Sequence, residues 1–311
     1  MEVKMAFTAK DVAELRKQTG CGMMDCKNAL TEANGNFEEA VKVLREKGMA
    51  ATAKKASRIA AEGLVDILSR DGVTAMLEVN SETDFVAKND SFRAFVRDIL
   101  ETIVANKPAD VAALMTMTLA GSDKTVEAAL QEKTFTIGEK LTIRRFVIIE
   151  GVVSTYIHGI GATGIVVHFA ADEAVAATPA FVEFAKNIAL QAAAIPSSYV
   201  NKSDVPASVI EEEKSILVKQ MEQDPKFAGK PAKVLEGIVT GKLGKFYEAN
   251  CLMEQGYVKD DSMTVGKYVA ATAKELGADI AILDFVRYDK GEGIQKREED
   301  FAAEIEKLTK G

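Results

Sequence analysis

The chain has 311 residues, 47% of them hydrophobic and 28% charged, with a net charge of −8 and a pI of about 5.1. That balance suits about two to four compact globular units, and its sign argues against a whole-chain nucleic-acid binder, whose affinity rests on neutralised phosphates. Cys21, Cys26 and Cys251 are too few for a disulfide framework, and the opening "MEVKMAFTAK" lacks a signal-peptide core; with no apolar run near the roughly 18 residues of a membrane helix, cytosol is expected.

Three short helices are expected over residues 8–48. Thr8 with Asp11 makes a capping-box-like start, Val12 and Leu15 give an apolar face, and Gly20 stands where a helix-ending glycine would. The second helix carries Ala29, Leu30 and Ala33 and stops at Gly35. Asn36 caps the third, with Phe37, Ala40, Val41 and Leu44 inward, and Gly48 is expected to end it. Residues 49–62, "MAATAKKASRIAAE", read as a helical connector, its lysines either a solvated face or a nucleic-acid patch.

The period then changes. "GLVDILS" and "VTAMLEV" around "RDG" predict strand, turn, strand, and Phe92, Phe95/Val96, Ile99/Leu100 and Ile103 mark a helix. Short helices are expected over 110–133 and a strand over 141–150. "GVVSTYIH" and "GIVVHFA" form a second hairpin, and its helix opens on Phe181, Phe184 and Ile188. In register, Phe92 falls on Phe181, Phe95 on Phe184 and Ile99 on Ile188, while Gly63 and Gly151 match within one residue. This reads as an internal duplication. Residues 206–255 predict a projecting helical hairpin broken at "DPKFAGKP". A helix, an alternating strand ("ADIAILDFVRYD") and a terminal helix over 298–309 follow. The fold class is α+β: a helical domain, then a duplicated antiparallel core.

Candidate sites are few. "GIGATG" (159–164) matches the dinucleotide fingerprint, but a β-branched run follows it where that fingerprint needs a helix, so it reads as a hairpin turn. His158 and His168 bracket that turn and could lie near each other, without the further ligands a metal needs. No constellation for catalysis emerges. Met23 and Met24 lie between glycines at a helix junction, either as core residues or as a flexible surface for a partner helix. Thr83-Asp84-Phe85-Val86 falls on Asp172-Glu173-Ala174-Val175 in the duplicate. The repeated valine reads as structural. Phe85, replaced by alanine there, is either displayed or a seven-residue extension of the Phe92 stripe.

"LRKQTGCGMMDCKNALTEANGNFEEAVKVLREKG" (15–48), "KKASRIAAEG" (54–63) and "LEVNSETDFVAKNDSF" (77–92) closely resemble bacterial elongation factor Ts, as do "RRFVIIEG", "YIHG" and "YDKGEGIQKREEDFAAEI" (288–305). Cys21 and Ser81-Glu82 depart from the usual form at flanking positions. The resemblance implies a guanine-nucleotide exchange factor without catalytic groups or cofactor, which binds elongation factor Tu in its GDP-bound and nucleotide-free states. It binds no nucleotide or nucleic acid directly, does not enter a membrane, and could dimerise in the complex. It further implies a ubiquitin-associated-like (UBA-like) three-helix bundle and connector over 1–58, a core N-subdomain over 59–150 and a core C-subdomain over 151–290. The helical hairpin at about 206–255 is an insertion in the latter, and residues 291–311 are a C-terminal module. Carried over residue by residue, Arg16, Met23 and Met24 would grip a helix of the GTPase domain. Asp84 and Phe85, within Thr83–Val86, would enter beside the nucleotide and its Mg²⁺, and His158 would help hold another domain. An adaptor that only binds a partner helix through the bundle is the alternative.

Overall fold

Short polar side chains, Thr8 and Asn36, decide where the first and third helices start. The computed structural model describes residues 7–227 and 230–295; the helix expected over 298–309 lies outside them. Helix α1 (Ala9–Thr19) begins at a reciprocal cap in which the Thr8 amide donates to Asp11 at 2.7 Å, and it ends at Gly20 with φ 68°. Helices α2 (Met23–Glu32) and α3 (Phe37–Lys55) complete a bundle around Leu15, Cys26, Ala29, Leu30 and Ala40.

Gly48 does not end α3. The helix runs on to Lys55, so the first half of the expected connector is its last two turns, and residues 56–61 are non-helical before the sheet. Tertiary packing outweighs the local helix cost of glycine, about 1 kcal/mol against alanine. A Cβ at Gly48 would stand 3.6 Å from the Phe135 side chain, so α3 lies close against the following domain at that point.

Strands β1 (Glu62–Arg70), β2 (Val73–Ser81) and β3 (Thr142–Glu150) form an antiparallel sheet in that order. Between β2 and β3 come α4 (Asp84–Ala87), α5 (Asp90–Asn106), α6 (Val111–Thr116) and α7 (Val126–Ile137). The α5 stripe of Phe92, Phe95, Ile99 and Ile103 is buried on one face of this sheet with Leu64, Leu77 and Val79. The same plan recurs in β4 (Val152–His158), β5 (Thr163–Ala170), α8 (Glu173–Ala176) and α9 (Pro179–Ala194), with Phe181, Phe184 and Ile188 buried in a second core. The chain then leaves through α10 (Ala207–Gln223) and α11 (Ala232–Asn250), a helical hairpin, and returns by β6 (Gly256–Tyr257), β7 (Asp260–Thr264) and α12 (Val265–Leu276). Strand β8 (Ala281–Asp289) finally pairs with β5, as β3 pairs with β2. The duplication is therefore present in topology as well as in register, and the fold is α+β.

The two sheets share an apolar layer of Val65, Ile67, Met76, Val166 and Tyr288. Close approach there depends on the β4–β5 turn. Gly161, at φ 69°, accepts from the Val65 amide at 2.9 Å, and a Cβ on it would meet the Val65 carbonyl oxygen at 2.6 Å. "GIGATG" is thus the hairpin turn its flanking residues predict, with glycine needed for both backbone conformation and contact. Gly161→Ala should lower stability by about 2 kcal/mol or more, because backbone rather than a flexible side chain must move; denaturant titration of the variant measures it.

A buried carboxylate ties the C-terminal end of β8 to the first sheet. Glu78 on β2 has no solvent-exposed surface. It accepts from Arg145 at 2.7 Å, Arg144 at 3.0 Å, Asn80 at 3.0 Å and the Gly291 amide at 2.8 Å. The Arg145 guanidinium also lies 4.0 Å from the centroid of the Tyr288 ring. Burial opposes ionisation of Glu78, but its bonds to Gly291, Asn80, Arg145 and Arg144 outweigh that and hold its pKa below the usual carboxylate value.

Candidate functional site

The segment after β2 is a short turn pinned from both sides. Asn89 caps α5 by accepting from the Ser91 and Phe92 amides, so the preceding helix α4 is confined to four residues. Thr83, at the head of α4, donates through its amide (2.9 Å) and its hydroxyl (2.6 Å) to the two carboxylate oxygens of Glu139. Neighbouring Glu82 accepts from the Lys140 amide at 2.6 Å and pairs with Arg58 at 3.3 Å. The Lys140 ammonium in turn donates to the carbonyls of Ala56 and Arg58, just beyond α3.

On this turn Val86 points inward and is 5% exposed, whereas Phe85 is 75% exposed. The aromatic does not extend the α5 stripe, because α4 is a separate turn whose inward position belongs to Val86. Lys88 bonds Asp84 at 2.9 Å and places its ammonium 5.4 Å from the Phe85 ring centroid, so acid, base and ring form one surface cluster. The bond from Lys88 holds the Asp84 carboxyl below the usual range.

Met23 and Met24 are also displayed, 52% and 63% exposed. Helix α2 begins just after Gly22 and turns Cys26, Ala29 and Leu30 into the bundle, which leaves both methionines outside. Arg16, in the last turn of α1, is exposed at the same α1–α2 corner. The core reading of the two methionines is thereby overturned. Cys21 and Cys26 lie buried beneath the corner, and burial pushes both thiols up in pKa.

His158 and His168 are not neighbours. His158 pairs with Thr163 at the turn, while His168 pairs with Val153, five positions back along β4. That separation is about 16 Å along the strand, and an odd step puts the two side chains on opposite faces. His158 is exposed, its Nδ1 3.2 Å from the Tyr156 hydroxyl; the His168 Nδ1 is 3.3 Å from Asp284. Among the described residues, no group of three or more His, Cys, Asp or Glu side chains could hold a metal ion, and no helix is long and apolar enough to cross a membrane.

The exposed aromatic and the methionine corner therefore stand on separate units, joined through the Arg58–Glu82–Lys140 knot. A family model described as Elongation factor TS matches residues 82–292. The chain belongs to the elongation factor Ts family. It is 45% identical to Elongation factor Ts of Syntrophotalea carbinolica over 98% of this chain and all of that one. The Clostridioides difficile protein of the same name is 46% identical over 98% of this chain and 99% of its own, and that of Magnetococcus marinus 42% identical over 99% and 100%. Membership makes the chain a translation elongation factor by family.

Within this elongation factor Ts framework the sequence reading missed Glu139 and Tyr156. Nothing local marks Glu139, whose partner Thr83 is 56 residues away. Tyr156 was legible in principle, since residues two apart on a strand share a face. The same spacing sets it beside His158.

Proposed function

We propose that the protein is a guanine-nucleotide exchange factor that binds elongation factor Tu and accelerates its release of GDP in the cytoplasm. The observation that supports this best is Phe85, three-quarters exposed on a turn whose base is pinned to the α7–β3 connection and, through Glu82, to Arg58 beyond α3. Leaving a phenylalanine in water is unfavourable to the free chain by about 1.5–3 kcal/mol relative to burial, and a partner recovers that energy. Phe85 and Asp84 would enter beside the partner's nucleotide and Mg²⁺, where an aromatic wedge displaces groups that hold the ion and a carboxylate repels phosphate. Arg16, Met23 and Met24 on the UBA-like bundle, and His158 on the second sheet, would supply affinity elsewhere on the partner.

No catalytic group is required. Exchange follows if the protein binds the nucleotide-free partner more tightly than the GDP-bound one, since the coupling is reciprocal. Stopped-flow release of a fluorescent GDP from elongation factor Tu tests the reading: acceleration should rise and saturate with added protein, and an unchanged release rate refutes it.

The methionine corner has its own prediction. Met23→Ala with Met24→Ala should raise the concentration needed for half-maximal release by about tenfold or more, through loss of contact area. The thermal midpoint should barely move, because both side chains are exposed. An adaptor that merely held a partner helix would lose binding in the same variant. It would show no acceleration with either form.

A further inference from the structure

We infer that Glu139 is a positioning residue for Phe85, its carboxylate locking the turn that displays the ring. The inference rests on the exchange reading above. Glu139 follows Gly138, which ends α7 at φ 85°, and precedes β3, so its backbone is set between two regular elements. From there each carboxylate oxygen takes a different donor of one residue: the Thr83 amide at 2.9 Å and the Thr83 hydroxyl at 2.6 Å.

A threonine at a helix N-cap ordinarily turns its hydroxyl oxygen to the first-turn amides. Here α4 has no side-chain cap, and the Thr83 hydroxyl donates outward to Glu139. The local helix lacks a capping bond, and what fixes the turn is its attachment to the sheet unit through Glu139. The Ser81 hydroxyl, donating to the Thr83 carbonyl at 2.9 Å, fixes the other side of the same residue. The duplicate offers a contrast. Its matching turn carries Ala174 in place of the aromatic, and among the described residues no side chain bonds its first residue, Asp172.

Position matters because a displayed ring acts only where its base resists. Charge-assisted bonds to a backbone amide and a hydroxyl are the strong, directional kind suited to that task. Without them the turn would have to be ordered during the encounter, and a group out of place at the moment of insertion loses rate more than affinity. Glu139 touches no nucleotide in this account and acts only through Phe85.

The test is a double-mutant cycle read by stopped-flow GDP release from elongation factor Tu, with Glu139→Ala, Phe85→Ala and both together. Hydrogen exchange of residues 81–88 is followed in the free proteins. In the Phe85 background, Glu139→Ala should slow saturating release by about tenfold, the scale of a lost charge-assisted bond. Half-saturation should move much less. With Phe85 already alanine, Glu139→Ala should add nothing, and in the free variant the 81–88 segment should exchange faster. Glu139→Gln, which keeps one acceptor, should fall between wild type and alanine and serves if the alanine variant fails to fold. Equal losses in both backgrounds, a loss confined to half-saturation, or unchanged exchange at 81–88 each overturn the positioning role while leaving the exchange reading standing. A wild-type protein that does not accelerate release overturns both.

Discussion

Replacing Phe85 with alanine should slow saturating GDP release from elongation factor Tu by about one to two powers of ten, while the variant still binds the nucleotide-free partner. The magnitude follows from the roughly 1.5–3 kcal/mol that burying one phenylalanine contributes, realised here only when the ring passes from water into the partner. Phe85 is 75% exposed, so truncation removes almost nothing from this protein's own core and the thermal midpoint should stay within about a degree. The neighbouring Val86 is the control. At 5% exposure its truncation should cost stability first and rate only through unfolding. Contact that is equal in the GDP-bound and nucleotide-free complexes would leave the rate untouched. If the alanine protein matches wild type in release, the ring is passive surface and the site must be sought elsewhere.

The second large effect lies away from the site. Glu78→Gln should destabilise the protein by about 3 kcal/mol, the lower end of the range for removing one partner of a buried ion pair. The lower end applies because Arg144 and Arg145 are about a quarter exposed and can rehydrate, whereas the Gly291 amide and the Asn80 side chain lose a charged acceptor in a buried place. The substitution also makes a pH prediction. The folded state holds the Glu78 pKa below its unfolded value of about 4.3, so it binds fewer protons than the unfolded state. Stability from this group is therefore complete above the unfolded value and is lost as pH falls through the folded one. Asp289, also held low against its burial by bonds from Arg287 and Thr163, acts in the same sense. Urea titrations from about pH 7 down to about pH 3 should show a steeper acid loss for wild type than for Glu78→Gln. Parallel curves would mean that the Glu78 cluster carries no net linkage.

Short-range physics made much of the architecture legible before any fold was known. Caps act within three residues, as Thr8 with Asp11 and Asn36 with Glu39 do, so helix starts could be placed. Hydrophobic period told α5 and α9 from the hairpins before them, and the β-branched run after "GIGATG" excluded a dinucleotide loop. The matched Phe92–Phe181 spacing revealed a duplication because both copies must fill the same kind of core, and the motif residues were long enough in run to carry the family. Tertiary structure decided the rest, and each case turns on a partner that proximity in the chain does not supply. Gly48 continues a helix because Phe135 packs there. The two histidines separate because strand register, not turn length, sets who faces whom. Phe85 and the methionines are displayed because Val86 and the Cys26–Leu30 face fill the available interior, a volume no local pattern measures. Glu139 meets Thr83 across 56 residues and Glu78 meets the Gly291 amide across 213. A glutamate alone carries no mark of such a partner, since its pairing is selected by the geometry of a sheet that forms only when the whole core has closed.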